Sequence, residues 1–334
     1  MLNRFCAHPL WEVNDTLAKV AQGQQAAETV IRHARLVSVT TREVLEDTDI
    51  AIARGRVAYI CGHTAEHCIG PETTVVDATG LYAAPGLFDT HVHIESSMVG
   101  PAEYARAVVP HGTVGIYADP HEVANVCGLE GVRAMWEDAA RTPLKTMLTT
   151  PSCVPAVLGV EDTGSSIDAS QVAESMRWDS VVALGEMMNF PGILSCEQNA
   201  LDEVRETLKA DRVVTGHYVA ADDDRGLSAY IAAGVTSCHE SGSFTDVISK
   251  LRMGMYVQLR QGSAWLNLPG YLPALVASGV DTSHCLLCTD DSHPHTLVDD
   301  GHMDRVLREA VRLGLDPITA LQMATINAAQ YFGV

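Results

Sequence analysis

Apolar and polar positions alternate in three different ways along the chain, and these patterns predict three parts. Residues 1–28 are mostly polar with interspersed alanine and glutamine, which predicts a helical lead-in. Residues 29–80 contain short strand-like runs separated by turn residues, so we expect a small β-rich module there. Residues 81–334 contain apolar runs of strand length that alternate with amphipathic segments, which is typical of repeated βα units.

The third part contains eight predicted βα units. The predicted strands cover residues 81–93, 113–119, 145–151, 181–187, 212–217, 235–239, 255–260 and 285–290. The predicted helices cover residues 131–141, 171–178, 201–209, 226–233, 245–252, 272–278, 302–313 and 317–332. Eight such units in roughly 250 residues are typical of an α/β fold of the TIM-barrel type, the (β/α)8 barrel. A doubly wound open sheet is the alternative, which the lack of a glycine-rich phosphate loop after the first strand disfavours.

Composition narrows the class of ligand. The chain of 334 residues carries 42 Asp and Glu against 22 Lys and Arg, which gives a net charge of −20. Such acidity disfavours binding to nucleic acid or to an anionic membrane, and it is compatible with a small-molecule substrate and bound cations. The nine cysteines are scattered and odd in number, and no apolar run forms a leader or reaches membrane-spanning length. We therefore expect a cytoplasmic protein.

The run His91-Val92-His93, at the end of the first predicted strand, is the clearest candidate for chemistry. Side chains two apart in a strand point to the same face, so both imidazoles would aim at one point near the carboxyl end of the strand. Divalent metals favour such convergent nitrogen ligands. Taken alone, the motif fits two hydrogen-bonded structural histidines equally well.

Four further predicted strands end in residues that can bind metal. They end with Glu186 on the fourth, His217 on the fifth, His239 and Glu240 on the sixth, and Asp290 on the eighth. In a barrel, the carboxyl ends of all strands meet at one face. Four imidazoles and two carboxylates at that face predict a site for two divalent ions, about 3.5–4 Å apart, that activate a shared water molecule.

Several blocks of sequence carry a resemblance to a known family. The longest are PGLFDTHVHIESSM at 85–98, DPHEVANV at 119–126 and GEMMNFPG at 185–192, and shorter ones lie at 251–256, 260–263, 289–294 and 320–327. Together they resemble the adenine deaminase family of the metal-dependent amidohydrolase superfamily, from about residue 30 to residue 334. The chain departs from the family pattern on both sides of His239 and at Ser292, which bears on fine specificity for the substrate.

The resemblance implies hydrolytic deamination of adenine to hypoxanthine and ammonia. It also implies two divalent ions, with Mn²⁺ preferred and Fe²⁺ or Zn²⁺ as alternatives. Carried onto this chain, His91 and His93 would hold one ion, and His217 and His239 would hold the other. Glu186 would bridge the two.

The same resemblance gives Asp290 a role in proton transfer. It would bind metal, accept a proton from the attacking water and pass that proton to the leaving amine. Glu122, Glu240 and His121 are our candidates for protonating the purine ring and gripping its edge, or else for orienting the metal ligands. Glu95 is a candidate for the orienting role alone.

Two other functions are open at this point. One is an amidohydrolase that acts on another amino-purine, a pterin or a cyclic amide. The other is a truncated, non-catalytic metal-binding scaffold, because the chain ends directly after the barrel whereas members of the family continue. For the same reason we expect the β-rich module to be incomplete. An exposed half-sheet favours association, so a homo-oligomer is compatible with the sequence.

Overall fold

The computed structural model describes residues 8–61, 64–157, 159–220 and 224–333. Contacts divide the chain between Pro85 and Gly86 into two compact units, each with its own buried apolar core. The first seven residues of the predicted lead-in lie outside the described residues. Within the described ranges, no helix is both long enough and apolar enough to cross a lipid bilayer.

The first unit combines a helix with a five-stranded sheet. Its elements are α1 (Leu10–Ala21), β1 (Thr29–Ser38), β2 (Glu43–Ala53), β3 (Arg56–Cys61), β4 (Thr74–Asp77) and β5 (Tyr82–Ala83). The strand order is β3-β2-β1-β4, and β5 also pairs with β1. β1 runs antiparallel to β2 and parallel to β4 and β5. Val20 of α1 and Val30 of β1 are fully buried in one apolar cluster, so the helix covers part of the sheet.

The second unit alternates strands with helices. Its strands are β6 (Leu87–His93), β7 (Thr113–Ala118), β8 (Lys145–Pro151), β9 (Val181–Met187), β10 (Val213–Gly216), β11 (Ser237–Cys238), β12 (Tyr256–Arg260), β13 (Cys285–Cys288) and β14 (Asp290–Asp291). Its helices are α2 (Pro101–Val108), α3 (His121–Ala139), α4 (Ala169–Ser175), α5 (Phe190–Leu194), α6 (Gln198–Lys209), α7 (Asp224–Ala232), α8 (Phe244–Arg252), α9 (Leu268–Ser278), α10 (Pro294–Asp299), α11 (Met303–Arg312), α12 (Pro317–Met323) and α13 (Ile326–Phe332).

Neighbouring strands of the second unit are parallel and close into a barrel. One sheet runs β10-β9-β8-β7-β6-β14, and a second runs β11-β12-β13. A bridge between Val214 and Val235 joins β10 to the segment that leads into β11. β13 and β14 are two pieces of one strand, separated by Thr289. The prediction of a (β/α)8 barrel is confirmed.

The burial of the strands explains their apolar sequences. Every residue of β9 is buried, because a barrel strand is covered by the interior on one side and by helices on the other. The sequence of such a strand is therefore a continuous apolar run. The candidate metal ligands lie at or next to the carboxyl ends of these strands, where the ends meet.

Several boundaries differ from the predictions. The first barrel strand begins at Leu87 rather than at residue 81, because 82–83 pair with β1 as β5. α2 was not predicted, and α3 begins at His121 instead of residue 131. Gly128 kinks α3 with a φ of 60°, and this break in the helix hides its periodicity in the sequence. The predicted helix 317–332 is two helices, α12 and α13.

Candidate metal centre

β6 brings His91 and His93 to the carboxyl end of the barrel. Both side chains are buried, and their Nε2 atoms lie 3.1 Å apart. His93 Nδ1 lies 2.9 Å from the carbonyl oxygen of Asp119, which can only accept a hydrogen bond. The proton of a neutral His93 therefore sits on Nδ1, and its Nε2 lone pair faces His91. Two ring nitrogens this close require a proton or a cation between them.

Glu186 lies at the centre of the cluster. This buried carboxylate, near the end of β9, places Oε2 2.7 Å from both His217 Nδ1 and His239 Nε2. Its oxygens also lie within 3.9 Å of His91 and His93. Burial opposes ionisation, yet His239 and His217 hold the pKa of Glu186 well below its usual value. A carboxylate between two pairs of imidazoles has the arrangement that can bridge two cations.

Adjacent parallel strands bring His217 and His239 together. His217 directly follows β10 and His239 directly follows β11. His217 Nδ1 lies 3.2 Å from His239 Nε2, and the His239 ring stacks on His91 with centroids 3.9 Å apart. The backbone N–H of His217 donates to the Tyr230 hydroxyl at 3.0 Å, and that hydroxyl donates to the carbonyl of Met187. These bonds fix the position of the histidine behind the cluster.

Asp290 enters the site from the broken eighth strand. It follows Thr289 and has a φ of 62°, in the left-handed region. Its Oδ1 lies 3.3 Å from His93 Nε2, and its Oδ2 accepts a hydrogen bond from Arg260 Nη1. Burial raises the pKa of Asp290, but His93 and His239 outweigh it, so the net shift is far downward. The ionised carboxylate is thus divided between the histidine cluster and a guanidinium.

Arg260, at the end of β12, is held on several sides. Its Nη1 and Nη2 donate to the carboxylate of Glu240, and its Nε donates to Asn267 Oδ1 at 2.8 Å. Its backbone N–H donates to the Tyr271 hydroxyl at 3.0 Å. Because one guanidinium serves both Glu240 and Asp290, it fixes these carboxylates relative to each other.

The segment after β7 adds His121, Glu122 and Asp119 to the mouth of the barrel. His121 Nδ1 lies 3.6 Å from Glu186 Oε1, and Glu122 Oε2 lies 3.7 Å from His93 Nδ1. Burial, assisted by His93, lowers the pKa of His121 to about 4. Burial also raises the pKa of the Asp119 carboxyl well above its usual range. Neutral and ionised groups therefore lie side by side here.

Glu95 stands behind this segment. Its Oε1 accepts a hydrogen bond from the backbone N–H of Val123 at 3.3 Å, and burial together with Glu122 raises its pKa to about 7. This position next to Glu122 suits the predicted supporting role, which stays a prediction.

The donor atoms of the cluster fit divalent ions. Buried polar atoms are normally hydrogen-bonded, yet this region contains several that have no such partner among the residues the structure describes: Glu95 Oε2, both Asp119 Oδ atoms, His121 Nδ1, Glu122 Oε2 and His239 Nδ1. Four groups of ligand atoms lie within 4.8 Å of one another: His91-His93-Glu186, His93-His121-Glu122, Glu186-His217-His239 and His239-Glu240-Asp290. Imidazole nitrogens and carboxylate oxygens suit Mn²⁺, Fe²⁺ and Zn²⁺. The residues present can therefore hold metal ions.

A cavity of about 370 Å³ opens onto this cluster, within the size range of small-molecule sites. Its lining comprises His93, His121, Glu122, Glu186, His217, His239, Glu240, Arg260, Trp265, Asp290 and Asp291. The structure thus brings the nine candidate metal-binding and catalytic residues into one cluster, in which His91 contacts His93, His239 and Glu186 without lining the cavity.

Three residues of the site were not predicted. Arg260 ends the seventh strand, but a guanidinium is not a metal ligand, so the pattern of histidines and carboxylates at the strand ends does not include it. Lys250 is fully buried on α8, and its ammonium donates to the Tyr218 carbonyl at 3.2 Å and to the carbonyl of Glu240. It ties together the segments after β10 and β11. Trp265 lies in a loop, where no periodic pattern marks it.

Comparison with known proteins places the fold and the site in context. The model of the amidohydrolase family matches residues 82–334, which include the whole candidate centre. The chain belongs to the amidohydrolase family. The predicted membership of this superfamily is therefore confirmed.

Two relatives and two solved structures illustrate the similarity. The chain is 54% identical over 332 residues to an adenine deaminase of Clostridium botulinum (strain ATCC 19397 / Type A), covering 99% of this chain and 55% of that protein. It is 47% identical to an adenine deaminase of Ruegeria sp. (strain TM1040), covering 98% and 54%. This amidohydrolase chain thus spans about half the length of the curated relatives it matches.

The structural neighbours support the fold alone. A β-aspartyl dipeptidase from Fervidobacterium islandicum AW-1 matches with a TM-score of 0.65 and 16% identity, over 92% of this chain and 87% of that one. The guanine deaminase of E. coli matches with a TM-score of 0.60 and 14% identity, over 91% and 83%.

Proposed function

We propose that this amidohydrolase deaminates adenine hydrolytically, giving hypoxanthine and ammonia. The observation that carries the proposal is the Glu186 carboxylate, which lies within 3.9 Å of four metal-binding imidazole candidates in a chain that matches adenine deaminases along nearly its whole length. A cluster of this kind suits metal-assisted hydrolysis. We infer adenine as the substrate from the relatives that are named adenine deaminase.

Two divalent ions, Mn²⁺ first among them, complete the proposed site. His91 and His93 would hold one ion, His217 and His239 the other, and Glu186 would lie between them. Such ions supply Lewis acidity, which lowers the pKa of a water molecule toward neutrality.

Asp290 is the proposed carrier of the proton. It accepts the proton that the attacking water loses as the new C6–O bond forms, and it delivers this proton to the amine as the C6–N bond breaks. Arg260 donates a hydrogen bond to Oδ2 of Asp290, and Oδ1 faces His93. The oxygen that carries the proton is therefore held in its orientation toward the reacting centre.

The purine ring needs a second set of partners, because a ring nitrogen gains a proton as charge develops during attack. Glu122 is the proposed donor, and it recovers a proton from the C6 hydroxyl as the carbonyl of hypoxanthine forms: it lines the cavity, and its Oε2 has no hydrogen-bond partner among the described residues. Glu240 is held by Arg260 and is therefore better suited to accept a hydrogen bond from the purine edge. His121 lies beside Glu122. Glu122, Glu240 and His121 together form what we call the polar wall of the cavity.

A cytoplasmic location is part of the proposal. The cysteines in the described ranges are free thiols, among them buried Cys285 and Cys288 of β13. Free thiols are typical of a reducing compartment.

The test combines turnover with metal analysis. The chain is depleted of metal, reloaded with Mn²⁺, Fe²⁺ or Zn²⁺, and assayed for ammonia release and for the absorbance change from adenine to hypoxanthine. Another amino-purine, a pterin and a cyclic amide serve as competing substrates.

We expect two ions per chain and ammonia release from adenine. Opening of the cyclic amide without attack on adenine would contradict the proposed substrate. Two bound ions without turnover of any compound would favour a metal-binding scaffold instead.

A further inference from the structure

The cavity over the candidate metal centre has an uneven lining. Among the described residues that line it, Trp265 is the only one whose side chain does not ionise. A heteroaromatic substrate has polar edges and an apolar face; carboxylates can serve only the edges, and the histidines and Arg260 that line the cavity are engaged with one another and with those carboxylates. Trp265 is therefore the natural partner for the face.

Trp265 stands on a short hairpin that follows β12. Gln261 and Leu266 pair as an isolated antiparallel bridge, and the Gly262 N–H donates to the Trp265 carbonyl at 3.0 Å. Arg305 Nη2 donates to the carbonyls of Gln261 and Gly262 at 2.9 and 3.0 Å. The hairpin that carries the tryptophan is thus tied to α11.

The hairpin is also tied to the eighth strand. The Ser263 N–H donates to the carbonyl of Asp291 at 2.9 Å. A Cβ at Gly262 would lie 2.6 Å from that same Asp291 oxygen and even closer to the Thr289 oxygen. Only glycine permits this approach, which holds the hairpin against the strand that carries Asp290.

One face of the tryptophan ring is in contact with another side chain. The Arg260 guanidinium lies 5.3 Å from its ring centroid, in cation–π contact. Trp265 nevertheless keeps 53% of its surface exposed. Arg260 contacts Asp290 as well, so the ring orientation and the position of the reacting carboxylate are set by the same side chain.

We infer that Trp265 is the stacking platform for the planar ring of the substrate, and that it determines affinity for flat heterocycles. This inference rests on the proposed function for the identity of the ring, a purine. Arg260 and the hairpin hold the indole in place, and the polar wall of the cavity then reads the edges of the stacked base. Stacking of bases on aromatic side chains tolerates different bases, so the edge contacts carry the discrimination.

The test compares Trp265→Ala, Trp265→Phe and a matched control, Trp136→Ala. Trp136 is 38% exposed on α3 and does not line the cavity. We expect Trp265→Ala to raise KM for adenine about 10- to 100-fold with kcat changed less than about threefold. Phenylalanine should restore most of the affinity, and Trp136→Ala should behave as the wild type.

A binding measurement separates this inference from the proposed function. Under selective tryptophan excitation, titration with adenine or hypoxanthine should quench the fluorescence of the wild type and of Trp136→Ala, but not that of Trp265→Phe. Saturable quenching that depends on Trp265, without turnover, would contradict only the adenine deaminase proposal. Turnover of adenine with an unchanged KM in Trp265→Ala, or quenching retained in Trp265→Phe, would overturn the platform.

Discussion

Strand β6 carries two buried polar clusters of opposite character. The first surrounds Asp89, which accepts hydrogen bonds from the Thr289 N–H at 3.0 Å and from the Thr289 hydroxyl. His302 Nε2 lies 3.1 Å from the same carboxylate. The His302 ring also contacts the hydroxyls of Tyr104 and Thr113, each at 2.8 Å, and the His91 N–H donates to Asp89 Oδ1 at 3.3 Å. This network is closed in the sense that each of its side chains has a hydrogen-bond partner.

The second cluster surrounds His91 and His93 and remains open. His91 Nε2 faces His93 Nε2 at 3.1 Å, and neither oxygen of neighbouring Asp119 has a hydrogen-bond partner within the described part of the chain. Burying polar groups without partners costs free energy, so a concentration of such groups at one cavity favours a site where something else binds. The comparison teaches that buried charge alone does not mark a site; several unpaired polar atoms gathered at one cavity are the stronger indication.

The sharpest way to break this comparison is Glu186→Gln. Because the amide removes the charge that lies between the two pairs of imidazoles, we expect loss of metal and a fall in kcat/KM of at least ~1000-fold, about 4 kcal/mol. The size of the side chain is kept, so the far-ultraviolet circular dichroism should not change.

Turnover and metal content per chain check the Glu186→Gln prediction. Glu174→Gln, which alters an exposed carboxylate 3.8 Å from Arg133, is the control. Unchanged turnover in Glu186→Gln would refute its central role.

The closed network should respond in the opposite way. Asp89→Asn places an amide donor against the donors of Thr289 and His302, so we expect a loss of about 2–4 kcal/mol of unfolding free energy. Urea denaturation of the metal-free protein measures it. Asp281→Asn, at an exposed turn where an amide oxygen can still accept from Ser283, should change the stability by less than about 0.5 kcal/mol.

Addition of Mn²⁺ sharpens the contrast between the clusters. Ions that bind only the folded chain should stabilise the wild type by about 2.7 kcal/mol at a concentration 100 times Kd. Asp89→Asn should keep most of this increment, whereas Glu186→Gln should lose it. Thermal melting, first with Mn²⁺ and then with a chelator, measures the increment in both variants. Equal increments in Asp89→Asn and Glu186→Gln would contradict the assignment of metal binding to the second cluster.

A third buried carboxyl extends the comparison. Glu203 on α6 is buried, accepts a hydrogen bond from Asn199 at 2.7 Å and has no ion-pair partner within the described ranges. Burial raises its pKa to about 8 from an ordinary value of 4.5. The folded chain then keeps a proton that the unfolded chain releases, so stability falls as pH rises from about 4.5 to about 8.

Glu203→Gln should remove this loss. We expect the variant to match the wild type near pH 4.5 and to gain on the order of 4 kcal/mol near pH 8. Glu206→Gln, at a half-buried position on the same helix that pairs with Lys209, is the control. A stability difference that does not change with pH would show that Glu203 is ionised when buried.

Much of the site was predictable because barrel topology maps strand ends onto one place. His91, Glu186, His217, His239 and Asp290 needed only the order of the strands to be brought together. Strand order is visible in the sequence because both faces of barrel strands are buried, and this yields continuous apolar runs.

The remaining features depend on contacts that no local pattern encodes. Tyr104 and His302 are 198 residues apart in the sequence yet in contact, and no sequence motif links the two. The kink at Gly128 hid the start of α3, and Trp265 reaches the cavity through a hairpin whose turn leaves no periodic trace. Long-range packing, rather than propensity, positions each of them.

Gly262 has a consequence for protein engineering. Because the carbonyls of Thr289 and Asp291 leave no room for a side chain there, libraries that vary this position will be depleted of active members. Residue 265 lies opposite Gly262 on the same hairpin, and its side chain is exposed. Directed evolution toward other flat heterocycles should therefore diversify residue 265 and keep Gly262.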